Sequence, residues 1–226
     1  MVFKRPALQI ALDLVDLGRA LEIATSTTYN LPREHLIIEA GTPLIKSWGA
    51  IAPRLLKKAT GAPVFADTKT MDTGSLEAKL MIDNGADIVS VLGVASNDTI
   101  IELVEETHRH GKLAALDLIN NPEPISTAIK AIEYGVDIII YHVGVDVQRK
   151  RGVTAADLIN EVNHLIKKIK GMGRRTYIAV AGGLRPGSIA RFIDIGVDIV
   201  IVGSAITGSR DPLSVSRSIL EEMGVL

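Results

Sequence analysis

Apolar and polar positions fall into blocks along this chain, and three of the blocks repeat. GADIVSVLG at 85–93, GVDIIIYHVG at 135–144 and GVDIVIVGS at 196–204 each run Gly, a small apolar residue, Asp, then a largely β-branched stretch. Glycine commonly stands just past a helix end, because it accepts the left-handed backbone found there. A short run that is apolar at every position suits a strand covered on both faces, as in a parallel sheet. Each copy therefore reads as a helix-to-strand junction. Five further runs have strand character: 8–13 (LQIALD), 36–41 (LIIEAG), 63–67 (PVFAD), 112–117 (KLAALD) and 176–183 (TYIAVAGG), which makes eight.

Amphipathic stretches near 18–28, 43–59, 73–84, 97–110, 122–134, 154–170 and 186–195 lie between these strands, and an eighth near 212–223 follows the last. Thr154 with Asp157 has the spacing of a capping box, and Asp211-Pro212 marks another helix start. Eight strand-then-helix units in 226 residues, roughly 28 each, predict an α/β fold, a single (β/α)8 TIM barrel. The competing doubly wound sheet usually has fewer strands and breaks its order at a switch point. No linker or low-complexity segment divides the chain, so residues 1–226 are expected to form one domain.

Composition narrows the function classes. The chain is 47% hydrophobic, which is ample for a buried core. Lys+Arg 25 against Asp+Glu 26 leaves no basic excess, so no nucleic-acid partner is expected. The absence of cysteine excludes disulfides, thiolate metal sites and a cysteine nucleophile. No segment approaches 18 uninterrupted apolar residues, and Asp13 and Asp16 interrupt the first apolar run, so the expectation is a cytoplasmic protein with no membrane partner.

In such a barrel the site forms at the carboxyl ends of the strands. Those ends carry Asp13, Glu39, Asp67, Asp117, His142, Gly182-Gly183 and Gly203-Ser204, with Lys69 and Asp72 just after Asp67. Five ionisable groups at matching ends of five strands should converge on one cavity. Asp67 and Lys69 share strand parity, and an ammonium held between carboxylates stays charged and stabilises negative charge on a substrate oxygen. The plainer alternative has Asp72 or Thr73 capping the helix near 73, with Lys69 solvated. His142 is the candidate proton-transfer group at carbon, because an unperturbed imidazole exchanges its proton near neutral pH; alternatively it only hydrogen-bonds a neighbouring carboxylate. Two glycine sites after strands seven and eight occupy the barrel phosphate position, where backbone N–H groups meet the anion.

The segments ALDL (11–14), EAGTP (39–43), DTKTMD (67–72), DLIN (117–120), YHVG (141–144), AGG (181–183) and VGSAIT (202–207) occur in order. Together they resemble the orotidine-monophosphate decarboxylase suprafamily, whose hallmark is Asp-x-Lys-x-x-Asp after the third strand. Within it the chain is most similar to the 3-hexulose-6-phosphate synthase family, from about residue 8 to 220. The resemblance implies an Mg²⁺-dependent aldolase. Glu39 and Asp67 would hold the cation, which suits a hard octahedral ion; alternatively Glu39 is an interior carboxylate paired with Lys69. It implies ribulose 5-phosphate and formaldehyde as substrates, joined into arabino-hex-3-ulose 6-phosphate through a metal-stabilised enediolate. His142 would move the proton, Lys69 and Asp67 would act with it, and Asp13 and Asp117 would orient Lys69 and substrate hydroxyls. Gly183, Gly203 and Ser204 would receive the phosphate. Relatives typically place Arg where Ser204 stands, so Arg185 or Arg210 is expected to supply that charge. A homodimer with shared sites is implied, Asp72 of the mate completing each.

Three alternatives stay open at this point. 3-Keto-L-gulonate-6-phosphate decarboxylase shares the cation and the enediolate, but carries Arg where this chain has Val145. The basic run Arg149-Lys150-Arg151, read as a flexible loop within 146–153 whose position permits it to act as a lid, could substitute for that Arg. Orotidine 5'-phosphate decarboxylase uses no metal and commonly has Lys at the Glu39 position. A non-catalytic sugar-phosphate binder would not need Lys69 and His142. KKIKGMGRR at 167–175 is read as a solvated helix end and turn. His35, His108, His110 and His164 are assigned to helix or loop surfaces, and Trp48 to a subunit interface.

Overall fold

Eight parallel strands close into a barrel in sequence order, the last pairing with the first. The computed structural model describes residues 2–170, 172 and 176–226. The strands are β1 (Ala7–Leu12), β2 (Leu36–Ala40), β3 (Val64–Thr70), β4 (Ile88–Leu92), β5 (Leu113–Asp117), β6 (Ile138–His142), β7 (Tyr177–Ala181) and β8 (Ile199–Val202). The helices are α1 (Leu17–Asn30), α2 (Thr42–Trp48), α3 (Ile51–Thr60), α4 (Gly74–Ile82), α5 (Asn97–Arg109), α6 (Pro124–Glu133), α7 (Val145–Arg151), α8 (Ile159–Lys170), α9 (Ala190–Asp194), α10 (Ser204–Thr207) and α11 (Pro212–Glu222). The expected barrel is the observed one.

Strand parity divides the core in two. Leu8, Ile10, Leu12, Leu36 and Ile38 face outward, into the layer the helices cover. Ala7, Ala11, Ile37, Phe65, Ile88, Ile138, Ile140, Ala179 and Ile199 belong to a second cluster that fills the barrel interior, closed at its amino end by Phe3 against Tyr177. Continuing the inward parity toward the carboxyl ends gives Glu39, Asp67, Ser90, Asp117 and His142 on β2 to β6, but Ala181 and Ile201 on β7 and β8. One side of the mouth is therefore ionic, and the other is small and apolar.

The repeated Gly-x-Asp unit has a structural meaning. Gly85, Gly135 and Gly196 have φ of 90°, 97° and 94°, the left-handed turn that ends each preceding helix. The aspartate that follows ties its own strand to the previous one at the amino end of the barrel. Asp87 accepts from Val64 N at 3.0 Å, Asp137 from Ala114 N at 2.8 Å and Asp198 from Ile178 N at 2.9 Å. Lys57 and Lys112 also donate to Asp87, both at 2.7 Å. These two ion pairs hold the Asp87 carboxyl below its ordinary pKa although burial opposes them. Asp87→Ala is expected to cost about 2–3 kcal/mol by leaving the Val64 N–H without its acceptor and removing the ion-pair partner of Lys57 and Lys112. For a chain this long that is a fall of roughly 4–12 °C in Tm. Scanning calorimetry checks it, with kcat unchanged because the active end is opposite.

Several local expectations need correction. The stretch 43–59 is two helices, because Gly49 at φ 60° breaks it. Only Ala190–Asp194 of 186–195 is α-helical, since the stretch opens with Pro186 and Gly187. The charged segment read as a loop is the helix α7, begun at Gly144 and ended by Gly152 at φ 67°. The capping box at Thr154 and Asp157 is present, but it caps a 3-10 turn over Ala155–Leu158 ahead of α8. Asp211 caps α11 as expected, accepting from Ser214 N. Of the basic run at 167–175, Lys167 and Lys168 lie on α8 and are exposed, while 171 and 173–175 lie outside the described residues. No helix is long and apolar enough to cross a membrane among the described residues.

Candidate active site

Lys69 is the hub of the mouth. Its Nζ lies 2.9 Å from Asp67 Oδ2 and 2.9 Å from Asp117 Oδ2. Regular strand alternation does not achieve this placement. Lys69 has φ 48°, and the β3–β4 register shifts between Ala66 and Thr70, so a bulge re-aims the side chain. Ser90 Oγ pins the bulge by accepting from Lys69 N at 3.2 Å and donating to Asp67 Oδ1 at 3.0 Å. Burial alone would lower the Lys69 pKa; Asp67 and then Asp117 outweigh it and raise it, so the ammonium stays charged. Of the plainer alternative, Thr73 does stand at the N-cap of α4, though with no side-chain cap bond, whereas Lys69 is not a loop residue free in solvent but a β3 residue paired with two carboxylates.

Asp117 joins Lys69 to His142. His142 Nδ1 sits 2.9 Å from Asp117 Oδ2, and Ile119 N donates to Oδ1 at 2.9 Å. Burial favours the neutral acid, but His142 first and Lys69 second hold the Asp117 carboxyl down at about 2. An ionised Asp117 fixes the tautomer that carries hydrogen on Nδ1, which leaves Nε2 for a ligand. The carboxylate bond of the second reading is present, and the same histidine also lines the cavity.

Glu39 is 5% exposed and is not paired with Lys69. Its one hydrogen-bond partner among the described residues is Gln9, whose Nε2 donates to Oε2 at 2.5 Å. Burial, then the like charges of Asp67 and Asp13, push its carboxyl well above the usual range. Asp13 is raised for the same reasons, burial first and Asp67 second. It has no hydrogen bond to Lys69, so of the two aspartates expected to orient that amine only Asp117 does. Gly41 makes room for it, since a Cβ there would lie 2.3 Å from Asp13 Oδ1. Asp67 is also held by Thr42, whose hydroxyl donates at 2.8 Å to Oδ2, the oxygen that Lys69 meets.

Asp13, Glu39, Thr42, Asp67, Lys69 and His142 line a cavity of about 510 Å³ that also includes Gly183, Gly203, Ser204, Gln148 and Arg149. Gly182 at φ 115° is required by packing, because a Cβ would meet Val143 O at 2.4 Å. Neither Arg185 nor Arg210 lines this cavity. The arginine that does line it is Arg149 on α7. Asp72 is exposed at the end of the bulge, accepts from Thr73 N, and is not a wall of its own chain's cavity. His108 and His110 are tied to Asp137 and Glu106 on the outer layer.

The mouth is short of positive charge. Asp13, Glu39 and Asp67 repel one another, and Lys69 is shared between Asp67 and Asp117. Carboxylates in that situation fit a hard divalent cation, and Glu39 with Asp67 is the pair on adjacent strands that would hold it. No three His, Asp or Glu side chains among the described residues converge tightly enough to hold an ion alone. Water or substrate oxygens would have to complete its shell.

A family model described as orotidine 5'-phosphate decarboxylase / HUMPS matches residues 6–219. The chain belongs to this family. The bifunctional enzyme Fae/Hps of Methanoculleus marisnigri is 35% identical over 219 residues, covering 96% of this chain and 53% of that protein. The chain thus spans about half the length of the curated relatives it matches. The crystal structure of 3-hexulose-6-phosphate synthase from Salmonella typhimurium superposes with a TM-score of 0.84 at 33% identity, covering 96% of this chain and 98% of that one. KGPDC from Streptococcus mutans, solved in complex with D-R5P, reaches the same TM-score at 26% identity and 97% of each chain. Members of the orotidine 5'-phosphate decarboxylase / HUMPS family thus share this barrel, so the choice among their reactions rests on the residues at its mouth.

Gln9, Thr42, Ser90 and Gln148 are site residues that the sequence reading missed. Gln9 alone had a visible signal: it is the one polar residue inside an otherwise apolar LQIAL run.

Proposed function

We propose that the chain is an aldolase of the 3-hexulose-6-phosphate synthase type, joining formaldehyde to C1 of ribulose 5-phosphate. The observation that carries this reading is Lys69 held between Asp67 and Asp117, with His142 on the same Asp117, at the mouth of one cavity. A divalent cation held by Glu39 and Asp67 would supply positive charge beside the two oxygens of the reacting end of the sugar. His142 Nε2 takes the proton from C1, and the charged Asp117 stabilises the imidazolium that forms. Lys69 stabilises the negative charge that develops on oxygen, from a site already desolvated and oriented. The enediolate carbon bonds to the formaldehyde carbon, and the new alkoxide takes up a proton, so the product is the hexulose phosphate with no atom lost. Gly183, Gly203 and Ser204 receive the phosphate, with Arg149 alongside.

The proposal includes a homodimer. Val15, Trp48, Met71 and Leu76 are 69%, 48%, 54% and 68% exposed on the segments after β1, β2 and β3. Trp48 is fixed there by a hydrogen bond from Nε1 to Val15 O. Such apolar exposure supports a covered face. Asp72, exposed next to Met71 and off the wall of its own cavity, would in such a dimer serve the mate's site.

One observation favours a second reading. Arg149 in the cavity wall could serve a carboxylate-bearing substrate, as in decarboxylation of a keto-gulonate phosphate. The deciding experiment supplies each substrate with Mg²⁺. Formaldehyde consumption dependent on ribulose 5-phosphate, at an efficiency well above carbon dioxide release from the keto acid, is the expected result. The reverse order makes the chain a decarboxylase, and no turnover of either makes it a binding protein.

A further inference from the structure

Gln9 lies in the middle of β1 with its side chain inside the barrel, 1% exposed. Its inward neighbours on the same strand, Ala7 and Ala11, and its paired residue Ile37 are apolar and buried. The amide uses one hydrogen to reach Glu39 Oε2 at 2.5 Å, while its Oε1 is buried with no partner. An unpartnered carbonyl in an apolar interior is a standing cost, which a leucine or methionine of similar volume would avoid. Space-filling therefore does not account for an amide at this position.

What the amide does is hold Glu39. Lys69 bonds to Asp67 and Asp117 and not to Glu39, and no other donor among the described residues reaches that carboxylate. Gln9 engages one oxygen, Oε2, and leaves Oε1 without a protein partner. The donor is neutral. A lysine or arginine in its place would fix the carboxylate equally well, but would also cancel the charge that a cation needs. Asp67 differs: besides the neutral hydroxyls of Thr42 and Ser90, it pairs with the Lys69 ammonium, so Glu39 is the carboxylate of the two with no cationic partner.

We propose that Gln9 is a positioning residue for the divalent cation, orienting Glu39 from the barrel floor so that its free oxygen meets the ion. This rests on the metal reading above. Outer partners of metal ligands are typically worth about 10–100-fold in affinity. The test uses the full chain and Mn²⁺ alone, with binding followed by electron paramagnetic resonance and metal-free unfolding by calorimetry. The variants are Gln9→Met, which keeps the volume without a donor, and Gln9→Asn, which keeps the amide but draws it back by one methylene.

The expected result is at least about tenfold weaker Mn²⁺ binding in both variants, with the metal-free Tm of Gln9→Met equal to or above that of the parent. Excess metal restores turnover to Gln9→Met. Mn²⁺ affinity within twofold of the parent in Gln9→Met overturns the proposal while leaving the metal reading intact. So does weaker binding accompanied by a lower metal-free Tm, because Gln9 is then structural. Should Gln9→Met fail to fold, Gln9→Leu takes its place with the same outcomes. A parent chain that binds no Mn²⁺, with Glu39→Gln also silent, overturns the metal reading itself and this proposal with it.

Discussion

Lys69→Ala is expected to lower formaldehyde-dependent kcat by at least about 1,000-fold, with little change in the cooperativity of unfolding. Loss of one preorganised donor to a developing oxyanion typically costs about 100–1,000-fold. Lys69 should stand at or beyond the top of that range for two reasons. It carries a full charge, kept on by Asp67 and Asp117. Its removal also leaves Asp117 facing His142 alone and Asp67 facing Glu39 and Asp13 without a counter-charge, which disturbs every other group at the mouth. Lys69→Arg is no rescue, because a planar guanidinium fork needs different geometry from the point ammonium that meets Asp67 and Asp117 at 2.9 Å each. Steady-state assay of the purified variant checks this; a loss of less than tenfold removes Lys69 from the chemistry.

Stripping divalent metal is the second large effect. Turnover is expected to fall by more than about 100-fold in excess chelator and to return when Mg²⁺ is restored, since a Lewis acid supplies several kcal/mol of stabilisation to charge on oxygen. The chain's own residues give the reason. With no cation, Asp13, Glu39 and Asp67 crowd one mouth, and burial with mutual repulsion drives Glu39 and Asp13 upward in pKa. A cation relieves that repulsion; its absence leaves a site that repels an anionic substrate fragment. Glu39→Gln should match the chelated protein and lose its response to Mg²⁺. Full activity in chelator would instead show that Lys69 carries the charge stabilisation alone.

How far the site was readable differs from group to group. The positions of Asp67, Lys69, Asp117 and His142 followed from strand ends, because parallel strands in a closed barrel deliver every carboxyl end to one rim. The means by which Lys69 gets there did not, since a bulge with φ 48° is not written in the residue types of DTKTMD. Asp13 illustrates the opposite case. It stands at a strand end and lines the cavity as expected, yet no hydrogen bond links it to Lys69. Arg149 shows what a wrong local assignment costs. The basic segment 146–153 reads as loop, but six of its residues lie in α7, which brings that side chain to the cavity wall.

The sequence by itself determined the barrel, its eight strands, the face that carries chemistry and most of the ionic groups on it. It did so because period and turn residues are local properties: a glycine at a helix end, an apolar run of five, an aspartate that recurs before three strands. Only the tertiary structure decided who touches whom. Gln9 on Glu39, and Thr42 and Ser90 on Asp67, are contacts between elements far apart in the chain. Hydrogen-bond partners and burial, unlike periodicity, are set by distances that exist only once the barrel has closed.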